Sequence, residues 1–545
     1  MDHATIEDND STLILSRCQN EAFEKIKHFL KDDEPAILVN GSAGVGKSTL
    51  MKYVVKYIQE HVSSISIAVI APTHKALRVI QEVLKRTSFY NIPGYTIASI
   101  LGKIKEHSYI GTKKFSEGAM DKMTFYDLFI LDEVSMVCDT DLERVFDYIC
   151  EANKKIILIG DNCQIPSPSQ KLQVKSEYCI KPDSMAFDLV NKITMQEIVR
   201  QQQGSVIIQM ATYLRDNLKV DVSVQQILNA CQIAEERVLV SSRDMNVIYQ
   251  DIVDDILAQN MSSKIICYTN ENVKAHNLQL RRALKRTHKF AIGEVLVGYT
   301  NGSNIENGSE YVITQLSLST SKRINRFSNL VGSMLTLENF YDRTQKSDVF
   351  AISIEHPNNS SFMNELIKLA QQVNKSHSTL EDFKNYMKLK RQAVFIEDVY
   401  QFDNKIFNEV ELKKSHPLLF IPVIDVIDEK KKTIIPSDIS SSINDFYQDL
   451  LHTRLDDTSK GFTENEVFAD MFKIVEKDIY YGYAITSHKA QGSTYDCVYV
   501  DENDFVKVKD RWNHKFKRPE HRTKEKNQLR YVAYTRASKK LKIFL

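Results

Sequence analysis

The chain carries no excess charge: 71 Lys and Arg stand against 71 Asp and Glu in 545 residues. A wholly basic nucleic-acid protein is therefore excluded, and any polyanion surface has to be local. Its eight cysteines, Cys18, Cys138, Cys150, Cys163, Cys179, Cys231, Cys267 and Cys497, include no C-x-x-C pair. That excludes a zinc module of the usual spacing and points to reduced thiols in a cytosol-like compartment. No apolar run approaches the roughly 18 residues of a membrane span, and Met1 to Asp10 is acidic without the apolar core of a signal peptide. The expectation is a cytoplasmic protein (host cytoplasm if viral), away from membranes. There is no G-x-G-x-x-G, which disfavours a dinucleotide fold. The length suggests about three or four domains.

What is present begins with Ala36 to Val39, an apolar run of strand length behind Pro35. It leads into Gly41-Ser42-Ala43-Gly44-Val45-Gly46-Lys47-Ser48-Thr49, which fits the phosphate-binding loop G-x-x-x-x-G-K-[ST]. Glycines let the loop turn its N–H groups inward onto phosphate, and the helix opening near Lys47 adds the positive end of its dipole. Lys47 would reach the β- and γ-phosphates, and Ser48 would help hold Mg²⁺. A second apolar strand, Ile65 to Ala71, ends at Thr73-His74, residues that also suit a helix cap and a surface histidine. A third, Phe129 to Leu131, ends in Asp132-Glu133. There Asp132 suits Mg²⁺ and Glu133 suits a general base for water. A fourth, Ile156 to Gly160, is followed by Gln164, an amide suited to sensing a γ-phosphate. Alternating strands and helices predict α/β architecture, with a parallel sheet binding ligands at its carboxyl edge.

Other stretches leave two readings open. Ser16 and Gln19 have capping-box spacing, and Gln19 equally suits adenine recognition. Residues 102–123 mix bases and rings (Lys103, Lys105, Tyr109, Lys113, Lys114, Phe115) around Gly111 and read as a hairpin, either solvated or facing a single strand. The basic segment 507–526 with the lone Trp512 is equally a loop or a nucleic-acid contact. A second α/β unit opens at Lys264 to Thr269 with a helix from Glu271. Short β segments with Gly293, Gly298, Gly302 and Gly308 over 290–355 suggest a small barrel. Residues 361–391 read as helical, with Ser378 and Glu381 as a cap, and Leu418 to Ile427 with Thr433 to Ile435 as a hairpin. The chain is expected to end in a helix, Leu529 to Ala537, and a strand, Leu541 to Leu545.

In order, Gly41 to Ser48, Ala71 to Lys75, Asp132-Glu133-Val134-Ser135-Met136, Gly160 to Pro166, Glu197-x-x-Arg200-Gln201, His488-Lys489-Ala490-Gln491-Gly492 and Val532 to Ala537 resemble seven motifs of the superfamily 1B, RecD-like DNA helicases of the Dda type. The resemblance implies two RecA-like P-loop domains, with a β-hairpin pin insertion in the first and an SH3-like small barrel plus a mixed α/β insertion in the second. The implied boundaries are 1–101 and 124–200 for the first domain, 102–123 for the pin, 201–289 and 476–545 for the second domain, and 290–475 for its insertions. It implies ATP with Mg²⁺ between the domains, Gln19 on adenine, Gln491 and Gly492 at the nucleotide, and Arg200 and Arg536 as arginine fingers. Thr73, His74, Thr96, Thr486 and His488 would line the single-strand track, and Tyr109 and Phe115 would stand on the pin at the fork. The implied activity is a 5′→3′ DNA helicase acting as a monomer on single-stranded and forked DNA, with single-strand-binding or replisome proteins as candidate partners. Rival readings are a translocase that strips proteins from single strands and an inactive P-loop subunit of a larger complex. The chain departs from the family at Ala98, where histidine is frequent, and at Ser167, where a second proline is usual.

Overall fold

The computed structural model describes residues 5–6, 13–62, 65–85, 92–102, 104–107, 113–116, 121–175, 177–197, 205–240, 245–257, 262–300, 302, 304–340, 342–373, 379–402, 405–415, 473–513 and 516–545. Two parallel sheets organise it. The first has six strands in the order Lys192–Met195, Ala36–Gly41, Lys155–Gly160, Leu128–Leu131, Ile67–Ala71, Gly94–Thr96, all parallel. Its central strands read as continuous apolar runs because helices cover both faces. Ile37, Val39, Val69, Ile130 and Ile159 pack against the helices Arg17–Phe29 and Lys47–His61 on one side. Leu38, Ile70, Phe129 and Leu158 pack against Asp139–Glu151 on the other.

The second sheet, also parallel, runs Leu239–Val240, Ala537–Phe544, Tyr495–Asp501, Ser263–Cys267, Ala484–Thr486. Its helix Thr523–Thr535 is buried from Lys526 through Tyr534 although much of it is polar. Such a helix needs partners for its polar groups. Asn527 Nδ2 donates to the carbonyls of Asn217, Leu218 and Val220, and Arg530 pairs with Glu502 and donates to Val222 O.

Between the parallel strands of this unit lies an antiparallel sheet ordered Lys346–Ile352, Phe327–Asn339, Glu310–Ile324, Val295–Gly298, Ile479–Tyr481. Two of its strands are 15 and 13 residues long, not the short segments the sequence suggested. The pairing of Ile479–Tyr481 with Val295–Gly298 ties this sheet back to the start of the returning core. Beyond it, helices Ser360–Val373 and Leu380–Lys390 and the strands Val399–Phe402, Lys405–Asn408 and Lys473–Val475 form a mixed extension.

Several expectations need correction. The cap at 378–381 falls one residue later: the Thr379 hydroxyl accepts from Asp382 N–H, and the Asp382 carboxylate accepts from Thr379 N–H. Overlapping S-x-x-E and T-x-x-D patterns occupy that stretch, and the second is used. The last helix begins six residues earlier, at Thr523, and the last strand at Ala537, four earlier. The 507–526 segment contains the hairpin Arg511–Asn513 and Arg518–Glu520. It joins Gln173–Val174 and Cys179–Ile180 in a small sheet that bridges the two units; Trp512 is 56% exposed there. The expected hairpin at 418–435 lies outside the described residues. All eight cysteines are free. No helix among the described residues is long and apolar enough to cross a membrane.

Candidate nucleotide cleft

The turn after Ala36–Gly41 uses positive φ at Gly44 and Gly46, and the helix Lys47–His61 starts directly behind it. The second glycine sits at φ 80 against the Gln19 amide: a Cβ there would stand 2.2 Å from Gln19 Nε2 and would have to displace that side chain. Gln19 closes the cap and reaches the loop. Its Oε1 accepts from Ser16 N–H at 2.8 Å, closing the capping box, while Nε2 donates to Gly46 O at 3.2 Å. Lys47 lies folded over the loop, Nζ donating to Gly41 O (2.6 Å) and Ser42 O (3.1 Å). The buried Ser42 Oγ has no hydrogen-bond partner among the described residues.

Two strands away, Asp132 Oδ1 accepts from Glu133 N–H at 2.9 Å. Glu133 sits at φ 53, a left-handed conformation that a non-glycine residue holds at a cost of order 1–3 kcal/mol. Burial, reinforced by the Glu133 charge, pushes the Asp132 carboxyl up to about 7 against the opposing pull of Lys47. A buried carboxylate whose charge is disfavoured in this way suits a divalent cation at Asp132. Asp161, at the end of Lys155–Gly160, is 1% exposed, and its Oδ1 accepts from Cys163 N–H. Gln164 follows, buried, with Oε1 unpartnered among the described residues.

The second unit meets this edge directly. Gln491 Nε2 donates to Ile165 O at 3.1 Å. Tyr531, on Thr523–Thr535, donates its hydroxyl proton to Asp161 Oδ2 at 2.7 Å and accepts from Ala43 N–H at 3.2 Å. A cavity of about 160 Å³ opens between Ser42–Gly44 on one side and Arg215, Thr494 and Thr535 on the other. Gly492, at φ 73, lies with its would-be Cβ 3.7 Å from Ala76. Arg536 faces its own unit: Nε donates to Val532 O, Nη1 to Ser493 O and Nη2 to Thr535 Oγ1, each at 3.2 Å.

The threonines anticipated on the strand track share one geometry. Thr73, Thr96 and Thr486 stand at the carboxyl ends of their strands, each hydroxyl accepting from the N–H three residues on. Each therefore caps a helix start. His74 and His488 beside them are lowered chiefly by burial, His488 to about 4, so both are neutral rings at pH 7. The hairpin at 104–107 and 113–116 is antiparallel. Phe115 lies on its second strand, its side chain outside the described residues, as are Tyr109 and Arg200.

Sequence reasoning passed over Tyr531, Asp161, Arg215 and Lys75. Lys75 is 4% exposed and crosses between the units, Nζ standing 2.7 Å from Glu310 Oε1. The signals available were the position of Tyr531 on the same short segment as Arg536 and that of Lys75 directly after His74.

A family model described as an AAA domain matches residues 15–235. The ATP-dependent DNA helicase dda of enterobacteria phage T4 is 26% identical over 286 residues, which is 52% of this chain and 60% of the phage protein. The match thus spans less than two thirds of that relative. Uncharacterized protein R530 of Acanthamoeba polyphaga mimivirus is 22% identical over 489 residues, covering 85% of this chain and 88% of that protein. Among solved structures, the Pif1 helicase from Bacteroides in complex with ADP-AlF3 and ssDNA aligns over 97% of this chain and 92% of its own at 14% identity, with a TM-score of 0.44.

Proposed function

We infer that this chain, a superfamily 1B helicase related to Dda, is an ATP-dependent DNA helicase that moves 5′→3′ on single-stranded DNA and opens duplex. The observation that carries the reading is the convergence on one edge. The loop 41–48, Asp132-Glu133 and Gln164 stand together on the first sheet, and Gln491 and Tyr531 of the second unit touch the same edge. A nucleotide bound there is shared by two bodies, so hydrolysis can change their separation.

In this reading the loop amides, Lys47 and the start of its helix bind the phosphates, and Ser48 and Asp132 hold Mg²⁺. The cation offsets phosphate charge during transfer. Glu133 takes the proton of the attacking water, and Gln164, with its free carbonyl oxygen, senses the γ-phosphate. Arg200 from the first unit and Arg536 from the second complete the site from either side of the cleft, and Arg536 does so only after leaving its carbonyl partners. The single strand runs over the helix starts capped by Thr73, Thr96 and Thr486, whose N–H groups suit phosphate. The pin, residues 102–123, stands at the fork. Each base-pair step opened costs on average about 1.4 kcal/mol of stacking, small beside what ATP hydrolysis supplies.

The test is strand displacement with 5′-tailed, 3′-tailed and RNA-containing duplexes, run beside ATP hydrolysis with and without single-stranded DNA. The expected result is DNA-stimulated hydrolysis and displacement from the 5′ tail. Hydrolysis without displacement from any tail would leave only a translocase. No hydrolysis under any condition would overturn the reading.

A further inference from the structure

A phosphate loop binds through its backbone N–H groups, and one of them is already engaged. Ala43 N–H donates to the Tyr531 hydroxyl oxygen at 3.2 Å, although Tyr531 belongs to the helix Thr523–Thr535 of the opposite unit. That hydroxyl gives its own proton to Asp161 Oδ2 at 2.7 Å. Asp161 is held in turn by the Cys163 N–H on its other oxygen and leads into the segment bearing Gln164. Ring and carboxylate are each 1% exposed, so no water replaces either bond cheaply. One phenol oxygen therefore occupies the loop as a phosphate oxygen would, while its proton ties down the segment that follows the fourth strand end.

A backbone N–H serves one well-aligned acceptor. A phosphate oxygen in the loop and the Tyr531 oxygen compete for the Ala43 N–H, and the charged acceptor forms the stronger bond. When the amide is lost, Tyr531 keeps Asp161 and its helix is released from the loop. Five residues further along the same segment is Arg536, so the release acts where the second unit's arginine lies.

We propose that Tyr531 is a positioning residue that couples occupancy of the phosphate loop to the approach of the two units: its hydroxyl holds the Ala43 amide and yields it to a nucleotide phosphate. This rests on the ATPase reading given above. The ring itself fills space that phenylalanine fills equally well; the hydroxyl is the coupling device.

The experiment compares wild type with Tyr531→Phe as full chains. It measures nucleotide affinity with a fluorescent ATP analogue, kcat and KM of DNA-stimulated hydrolysis, and single-strand affinity with ADP and with a non-hydrolysable ATP analogue. In Tyr531→Phe, nucleotide affinity is expected to hold or to tighten by up to about fivefold, because a competitor has gone. The kcat should fall at least tenfold, and the ratio of single-strand affinities between the two nucleotide states should come within twofold of one. A merely structural hydroxyl would lower nucleotide affinity and kcat together and leave that ratio as in wild type, which overturns the proposal. So does a variant with wild-type kcat and ratio. Should Tyr531→Phe fold poorly, a fluorinated tyrosine at 531 keeps the shape and acidifies the phenol. Its oxygen then accepts more weakly from the Ala43 N–H, so the ratio of single-strand affinities should move toward one, and a wild-type ratio refutes the role. Wild type without DNA-stimulated hydrolysis would instead sink the ATPase reading itself.

Discussion

Glu310→Gln is the substitution expected to do most damage for the smallest change in shape. The Glu310 carboxylate is 0% exposed and meets three groups. Oε1 lies 2.7 Å from Lys75 Nζ and accepts from Tyr495 OH at 2.6 Å; Oε2 lies 2.9 Å from Lys264 Nζ. Lys75 comes from the first unit, Lys264 and Tyr495 from the second parallel sheet, and Glu310 from the long antiparallel strand. Burial alone would push Glu310 up, but Lys264 and Lys75 outweigh it and hold the carboxyl well below its usual range. Glutamine keeps one acceptor, points an NH₂ at an ammonium and leaves two buried lysines without a counter-charge. Breaking a buried pair by removing one partner costs about 3–5 kcal/mol, and the second lysine places the expectation at the upper end. Lys75→Met leaves Glu310 paired with Lys264 and Tyr495, so it should cost about 1–3 kcal/mol, the scale of a lost buried polar contact. Urea unfolding at pH 7, followed by fluorescence, measures both. The Glu310 contribution is whole above the ordinary glutamate value of 4.5 and is lost as pH falls below it toward the lowered native value. Glu310→Gln should therefore flatten the acid limb of the stability profile. A loss below about 1 kcal/mol for Glu310→Gln, or an unchanged acid limb, would refute the reasoning.

Three further outcomes follow from the cleft and the track. Glu133→Gln should keep nucleotide binding and lose about 10²–10⁴-fold in turnover, the usual scale of general-base catalysis; turnover within tenfold of wild type in a steady-state assay would remove Glu133 as the base. Gly46→Ala places a Cβ 2.2 Å from Gln19 Nε2 at φ +80, where left-handed backbone alone costs alanine roughly 1–2 kcal/mol, so nucleotide titration should show weakened binding and Gly46→Ser no better. His488 is pushed down to about 4, first by burial and then by Lys181 and Arg522. Between 6.5 and 4 the unfolded chain takes up a proton that the native ring refuses, so stability should fall as pH falls through that window, by less than about 1.4 kcal/mol per unit because the ring keeps some water. His488→Gln should remove that slope in an unfolding series from pH 7.5 to 4.5.

Local patterns were legible, and distant pairings were not. The strand, loop and helix over 36–61 announce themselves because each residue type answers to its immediate neighbours. The Ser16–Gln19 box is likewise complete within four residues. Where two local patterns overlap, as at 378–382, register goes to the one that the packed helix can use. Tyr531 could not be found this way, since its partners lie 488 and 370 residues away. Lys75 read only as the last residue of the 71–75 motif, and only the partner 235 residues downstream gives its ammonium a reason to be buried. The bridging sheet is the same case: Gln173–Val174 and Arg518–Glu520 are too short and polar to read as strands until each pairs with Cys179–Ile180.

The contacts across the cleft differ in what it takes to break them, and that difference sets how the units can part. At the phosphate loop they are single neutral or charge-assisted hydrogen bonds, Tyr531 with Ala43 and Asp161 and Gln491 with Ile165, and a phosphate oxygen can replace the first of them. At the other end Lys75 is sunk beside Glu310, with Arg78 paired to Glu306 at 2.6 Å on the same helix. Drawing Lys75 out strands a buried carboxylate between fewer cations, and nothing in the nucleotide can take its place. Hydrogen bonds exchanged for others cost about 0.5–1.5 kcal/mol each, against several for a buried charge. Opening should therefore begin at the loop end and pivot about Lys75. Dye pairs across the loop end (Asn162 with Lys539) and across the Lys75 end (Glu82 with Asn307) separate the alternatives. Nucleotide should change the first distance and leave the second within error; a larger change at the Lys75 end would mean that the buried pair is the part that yields.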